Sequence, residues 1–237
     1  MIWIAESDDV ASSTFLQNNV SLFEKDENVV LAYCQSNRIN SSGILTGSWK
    51  NFTDDLDSKL FSKEFIIDGN DYIERFLIHR NSIPNASAVI FKKSVYEESG
   101  GATSYLKNVG DWLTWIQILF YGKIAYSPLL LNQFRAHDES VIAKFIKFQE
   151  KDVFKDWYGL DMRLGLVHFF KSKKILVTPI LKKVNANYMA IDKGNLGLYK
   201  LKNREFVNGW KLILQASFFP KLQSGFIKKA FFSKKVS

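Results

Sequence analysis

The sequence has a single cysteine, Cys34. One thiol excludes an internal disulfide and any cysteine-rich metal centre, and it fits a reducing compartment. Long apolar runs are also missing. The most apolar window, Leu113 to Leu131, is interrupted by Gln117, Gly122, Lys123 and Pro128. A membrane-spanning helix needs about 20 nearly unbroken apolar residues, so the window reads as a buried helix, a turn and a strand. There is no internal repeat and no low-complexity tract. The first residues lack the basic-then-apolar pattern of a secretion leader. The triplets Asn40-Ser41-Ser42, Asn51-Phe52-Thr53 and Asn85-Ala86-Ser87 therefore carry no weight as glycosylation acceptors. The sequence opens inside an apparent strand, so a preceding segment is expected.

What is present is enough for a packed core. Hydrophobic residues make up 46% of the 237 residues and aromatic residues 15%, which excludes a disordered chain and leaves room for one full domain or two small ones. Acidic residues are scarce in one part only. Residues 1–140 hold 12 Lys/Arg against 18 Asp/Glu, a net of −6; residues 141–237 hold 20 against 6, a net of +14. Such asymmetry points to two functional parts, the basic one suited to phosphates of lipid or nucleic acid.

The stretch Ile2-Trp3-Ile4-Ala5-Glu6-Ser7-Asp8-Asp9 is a short apolar run that ends in carboxylates. It predicts a buried strand that carries acids into a cleft, where oxygen ligands suit a divalent cation and, through it, a diphosphate. An acidic loop with Ser7 or Asp9 near a helix cap is the plainer reading. A helix starting near Ala11–Thr14 is expected from Phe15, Leu16, Val20 and Phe23. Further strands are expected at Val29–Cys34, Ala88–Phe91 and Lys123–Tyr126, with an extended run from Leu129 to His137 and a turn at Asn40–Gly43. Residues 44–70 read as a surface-lying insertion and 71–79 as a short amphipathic helix. Gly100-Gly101 begins a flexible stretch that would suit a lid, or only a turn. Gly110-Asp111-Trp112 opens a helix, with Asp111 as first-turn residue or cap. Beyond about residue 145, segments such as 155–170 and 205–219 read as amphipathic helices rich in Trp, Phe, Leu and Lys.

Taken in order, the acidic element, the strand Leu31–Ser36 with Gly43, the segment Ile83–Lys93, Gly110-Asp111-Trp112, Gly122–Tyr126 and Phe134-Arg135-Ala136-His137-Asp138-Glu139-Ser140 resemble the catalytic domain of family 2 glycosyltransferases, over about residues 2–142. The resemblance implies an α/β fold. It would be a partial GT-A, Rossmann-like mixed sheet with flanking helices at 1–142, followed by a helical, basic, aromatic-rich extension at 143–237. It implies an inverting, metal-dependent transfer of a sugar from a UDP- or dTDP-linked donor to a glycan or lipid-linked acceptor in cell-surface polysaccharide synthesis. Asp8 and Asp9 would hold Mg²⁺ or Mn²⁺ on the diphosphate, with Asp9 as direct ligand. Asp111 would be the general base. His137 would lie beside the diphosphate or metal, and Arg135 nearby, unless Arg135 pairs with an acidic neighbour. Trp112, Asn85 and Ser87 would face the acceptor, though a core aromatic fits Trp112 as well. Two departures stand out. Gly110 occupies the position where the family carries an acid. The nucleoside-binding half that precedes the acidic element, roughly a hundred residues in the family, has no counterpart here. The chain therefore reads as a truncated enzyme, with an open sheet edge expected. The alternative is an inactive remnant or partner subunit binding membrane or another chain. Cytoplasmic placement is expected, with peripheral contact at the inner face of the plasma membrane through the basic helices. Nucleic acid is not expected as a partner, because no reading motif is present.

Overall fold

The computed structural model describes residues 1–103, 106, 109–136, 151–216, 224, 225, 227 and 228, with backbone alone for 151–158. They form two compact units, one of residues 1–105 with 110–140, the other of 106–109 with 141–237.

The first unit is α/β, a mixed sheet with flanking helices. Its centre is a parallel pair of long strands, β3 (Val29–Ile39) and β7 (Lys123–Arg135). Short antiparallel strands flank each. Beyond β3 lie β6 (Val89–Phe91) and β4 (Leu45–Ser48); beyond β7 lie β5 (Phe65–Asp68) and β2 (Val10–Ala11). The strand β1 (Ile2–Trp3) pairs antiparallel with β6, so it runs in the direction of β3. Among the described residues its other edge has no partner strand.

Side-chain alternation divides the core. Ala32, Cys34, Ala125 and Ile90 lie beneath helix α1 (Phe15–Lys25), which buries Phe15, Asn19, Leu22 and Phe23 at i, i+4, i+7 and i+8. Small strand residues leave room for large helix residues, and each buried Phe or Leu contributes about 1.5–3 kcal/mol. Aromatic rings cover the opposite side. Tyr33 packs on Tyr126 with centroids 4.9 Å apart, and Phe61, Phe65, Tyr72 and Phe76 close around them. Tyr33 and Tyr72 share a 2.8 Å hydroxyl–hydroxyl hydrogen bond in this apolar setting, which satisfies both.

Several expectations are corrected. The opening strand ends at Trp3 and is half-buried; Ile4 is exposed, because β1 is an edge. Ala11 is a strand residue, and α1 begins after Thr14, whose backbone N–H donates to Ser12 Oγ at 3.3 Å. Residues 44–70 are no surface insertion. They supply β4, helix α2 (Lys50–Phe61) and β5, anchored by buried Thr53, Phe61 and Phe65. The two apolar runs around Pro128 are one strand. A register shift after Ser127 places Pro128, which has no N–H to give, in a bulge. Residues 71–79 do turn helically: α3 (Gly69–Tyr72) runs into a π-helical turn at Ile73–Leu77. Helices α4 (Lys93–Ser99) and α5 (Gly110–Leu119) complete the unit.

The second unit is helical: α6 (Lys151–Ser172), α7 (Pro179–Lys202) and α8 (Phe206–Gln215). Thr178 caps α7, its Oγ1 accepting from the Leu181 N–H at 3.1 Å, with Pro179 at the first helical position. Helices α7 and α8 meet at Gly197 and Gly209. A Cβ on Gly197 would lie 2.8 Å from the Gly209 carbonyl oxygen, so only glycine allows this approach. Arg163 is buried here with its guanidinium 4.6 Å from the Tyr188 ring centroid. Burial lowers its pKa to about 10, while Asp192 and Tyr188 act in the opposite sense. No helix among the described residues is long and apolar enough to cross a membrane.

Candidate active site

The parallel direction of β3 and β7 puts their carboxyl ends at one edge of the sheet, and Asp8, Asp9 and Arg135 lie there. In open α/β sheets this edge is where ligands bind. Ile39 ends β3 and Arg135 ends β7, and the two are register partners.

The acidic loop hangs from these ends. Asp9 closes a turn through its N–H to the Glu6 carbonyl at 3.3 Å. The Arg135 backbone N–H donates to Asp9 Oδ1 at 2.9 Å. The other carboxylate oxygen, Oδ2, is buried without a hydrogen-bond partner among the described residues. The Arg135 side chain fixes the loop from the opposite side. Its Nε donates to the Asp8 carbonyl at 2.7 Å, and one guanidinium nitrogen donates to the carbonyls of Asn40 at 3.1 Å and Ser41 at 3.3 Å. Those two residues belong to the turn after β3, in which Gly43 adopts φ +81. Arg135 thus ties the acidic loop to this turn through backbone carbonyls.

Glu6 and Ser87 form the next layer. Ser87 Oγ accepts from the Glu6 N–H at 3.2 Å and donates to Glu6 Oε2 at 3.4 Å. Burial raises the Glu6 pKa; the charges of Asp9, Asp8 and, more weakly, Asp111 raise it further, against the Ser87 hydrogen bond. Asp111 is therefore within electrostatic reach of the acidic loop, although more than a hundred residues separate them in the chain.

Asp111 sits in the first turn of α5. Its Oδ2 accepts from Asn81 Nδ2 at 2.9 Å. Burial raises its pKa, and hydrogen bonds from the Trp112 N–H and from Asn81 partly counter this. Trp112 is half-buried and donates its indole N–H to the Leu77 carbonyl at 2.7 Å, which orients the ring beside Asp111.

Asn85 is placed differently. It is buried; its Oδ1 accepts from the Ser87 N–H at 3.1 Å and its Nδ2 donates to Asn132 Oδ1 at 2.5 Å. Asn132 in turn donates to the Ser87 carbonyl at 3.3 Å, and Trp3 Nε1 donates to the same oxygen at 2.8 Å. Asn85 is a brace for the Ser87 loop within the protein.

The structure thus joins Asp8, Asp9, Arg135 and, through Glu6, Ser87, and places Asp111, beside Trp112, within electrostatic reach of Glu6. His137 lies outside the described residues. Three contributors were not singled out from the sequence: Glu6, Asn81 and Asn132. For Glu6 a signal existed, since it stands in the same run of carboxylates as Asp8 and Asp9. For Asn81 there was none, because its partner is 30 positions away and the contact depends on where α5 lands.

Among the described residues, no group of three or more His, Cys, Asp and Glu side chains is arranged to hold a metal ion. The open Asp9 Oδ2 supplies one hard oxygen. That fits a cation held mainly by phosphates with one protein carboxylate, as is common for Mg²⁺.

Comparison with models of known protein families finds no match. Comparison with curated proteins finds none either.

Proposed function

We propose that this chain is the acceptor-side part of a family 2, GT-A-type glycosyltransferase, moving a sugar from a nucleotide-linked donor to the hydroxyl of a glycan or lipid-linked acceptor. The observation that supports the reading is the acidic loop held at the carboxyl end of β7 by the Arg135 N–H, with Asp111 close enough to act on the charge of Glu6.

Each residue has a part. Asp111 takes the proton from the acceptor hydroxyl as the new bond forms. Asn81 and the Trp112 N–H hold its carboxylate in place, and burial raises its basicity. Trp112 offers a half-buried ring for the acceptor sugar to stack on. Asp9 Oδ2 would hold a Mg²⁺ or Mn²⁺ ion, which would neutralise charge on the leaving diphosphate. Arg135 holds the loop that carries Asp8 and Asp9.

Calorimetric titration of Mn²⁺ into the chain with UDP present tests the reading. Coupled binding that weakens at least tenfold in Asp9→Asn, and is unchanged in the exposed control Asp71→Asn, supports it. Absence of Mn²⁺-dependent UDP binding, both in this chain and in one extended upstream by a nucleotide-binding half, overturns it.

A further inference from the structure

The second unit carries an apolar point inside a basic collar. Helix α6 closes sharply. The Lys173 N–H donates to the Phe169 carbonyl at 3.0 Å and the Ile175 N–H to the Phe170 carbonyl at 3.1 Å, with Lys174 in the left-handed conformation at φ 53. Thr178 then starts α7, and Val177 is buried beneath the turn at 5% exposure. Both ends of the connection are therefore fixed. Between them Leu176 is 95% exposed, and Ile180 in the first turn of α7 is 63% exposed. An isolated exposed leucine is ordinary; one held at the tip of a capped turn is presented.

The surroundings are of one sign. Lys171, Lys174, Lys182 and Lys183 are exposed beside the turn. No Asp or Glu occurs between residues 162 and 191. Two chemistries are on offer together: a small apolar wedge and a diffuse positive field. A nucleic-acid backbone would satisfy the lysines and leave Leu176 and Ile180 in water. A protein partner of ordinary size would need a far larger apolar area than two side chains. A bilayer containing anionic lipid satisfies both, since its headgroups attract lysine and its acyl boundary accepts leucine.

We propose that the α6–α7 turn docks on an anionic lipid bilayer, with Leu176 and Ile180 entering the acyl boundary and the flanking lysines resting on the headgroups. The inference rests on the second unit alone and stands whether or not the first unit transfers sugar.

The test is co-sedimentation of the full chain with phosphatidylcholine vesicles, with and without phosphatidylglycerol at roughly the anionic fraction of a cytoplasmic leaflet. The chain should partition onto the anionic vesicles only. Lys182→Gln with Lys183→Gln should lower the partition coefficient about twenty-fivefold, at about fivefold per lysine near the surface. Leu176→Ser should lower it about tenfold, through lost apolar burial. Circular dichroism confirms that these surface variants stay folded. Since the substitutions are confined to this turn, basic residues elsewhere are constant across the series. Equal binding to neutral vesicles, no binding to either, or unchanged binding by both variants overturns the proposal. Unchanged binding by Leu176→Ser alone overturns the insertion of the apolar point.

Discussion

Arg135 offers a sharp test of the site's construction, because its main chain and side chain do different things. Its backbone N–H holds Asp9 Oδ1, whereas its guanidinium holds three carbonyls, those of Asp8, Asn40 and Ser41. Arg135→Ala deletes only the second set. A hydrogen bond from a charged donor contributes about 1.5–3 kcal/mol when well buried. This side chain is partly exposed and two of its three bonds face solvent, so about 0.5–1 kcal/mol each is the appropriate scale. The variant should therefore lose about 2 kcal/mol, read as a lower urea midpoint with an unchanged slope. Arg135→Lys should recover less than half, because one ammonium cannot reproduce the fork that spans two loops. The Asp9 carboxylate keeps its backbone donor in both variants, so Mn²⁺ affinity should fall only a few-fold, far less than in Asp9→Asn. An Arg135→Ala protein with unchanged stability would refute the clamp. One that loses Mn²⁺ binding as completely as Asp9→Asn would show that the guanidinium acts on the ligand rather than on the loop.

Three further outcomes follow from the same geometry. Burial raises the Asp111 pKa, so the folded chain holds that proton more tightly than the unfolded chain, and the charged carboxylate costs stability near neutral pH. Asp111→Asn should thus gain stability relative to the parent at pH 7, with the gain shrinking as pH falls toward the ordinary carboxylate range near about 4; thermal melts against pH check this, and a gain that grows in acid would contradict it. Gly69→Ala places a Cβ 2.0 Å from the Leu119 carbonyl oxygen and 2.3 Å from that of Gly122, both backbone atoms that cannot turn aside, so urea unfolding should show a loss of about 3 kcal/mol or more. Cys34 is buried with its thiol pushed up to about 12 by burial, so an aromatic disulfide reagent at pH 8 should leave the native chain unlabelled and label it stoichiometrically in urea.

The elements legible in the sequence are those whose apolar pattern is self-contained. Val29–Cys34, Val89–Phe91 and the i, i+4, i+7, i+8 face of α1 announce themselves because both faces, or one whole stripe, are apolar. The polar half of β3 does not. Gln35 and Ser36 are buried although their apolar pattern has ended, and each has a partner: Gln35 donates to Thr53 at 2.6 Å and Ser36 to Asn132 at 3.4 Å. Thr53 lies in α2, the region read as an insertion. A buried polar strand is recognisable only with the segment that satisfies it. The break read at Pro128 has a similar origin, since a bulge is a property of the pair of strands. Within the site, the acids could be picked out by their clustering and by Asp111's place at a helix start. The residues that position them, Asn81, Asn132 and the Arg135 fork, act through contacts at sequence separations from 30 to 127.

The electrostatics of the cluster lead to a last expectation that needs no substrate. Burial raises the Glu6 pKa, and the charges of Asp9, Asp8 and Asp111 raise it further. The guanidinium of Arg135 is turned to carbonyl oxygens, and the hydrogen bonds to Glu6 and Asp111 come from uncharged donors. The charges of Asp9, Asp8 and Asp111 disfavour the ionised Glu6, and Asp9 Oδ2 is a buried oxygen with no donor among the described residues. A ligand that binds only the folded form returns RT ln(1 + [L]/Kd), about 2.7 kcal/mol at a hundredfold excess over Kd. Mn²⁺ should therefore raise the melting temperature of the free chain, saturably, and Asp9→Asn should remove the effect. Sodium chloride at matched ionic strength should do much less, because screening weakens the repulsion without supplying a partner for Oδ2. An equal rise with sodium chloride, or a Mn²⁺ response that survives Asp9→Asn, would reduce the cluster to a solvated acidic rim and take the metal out of the proposed reaction.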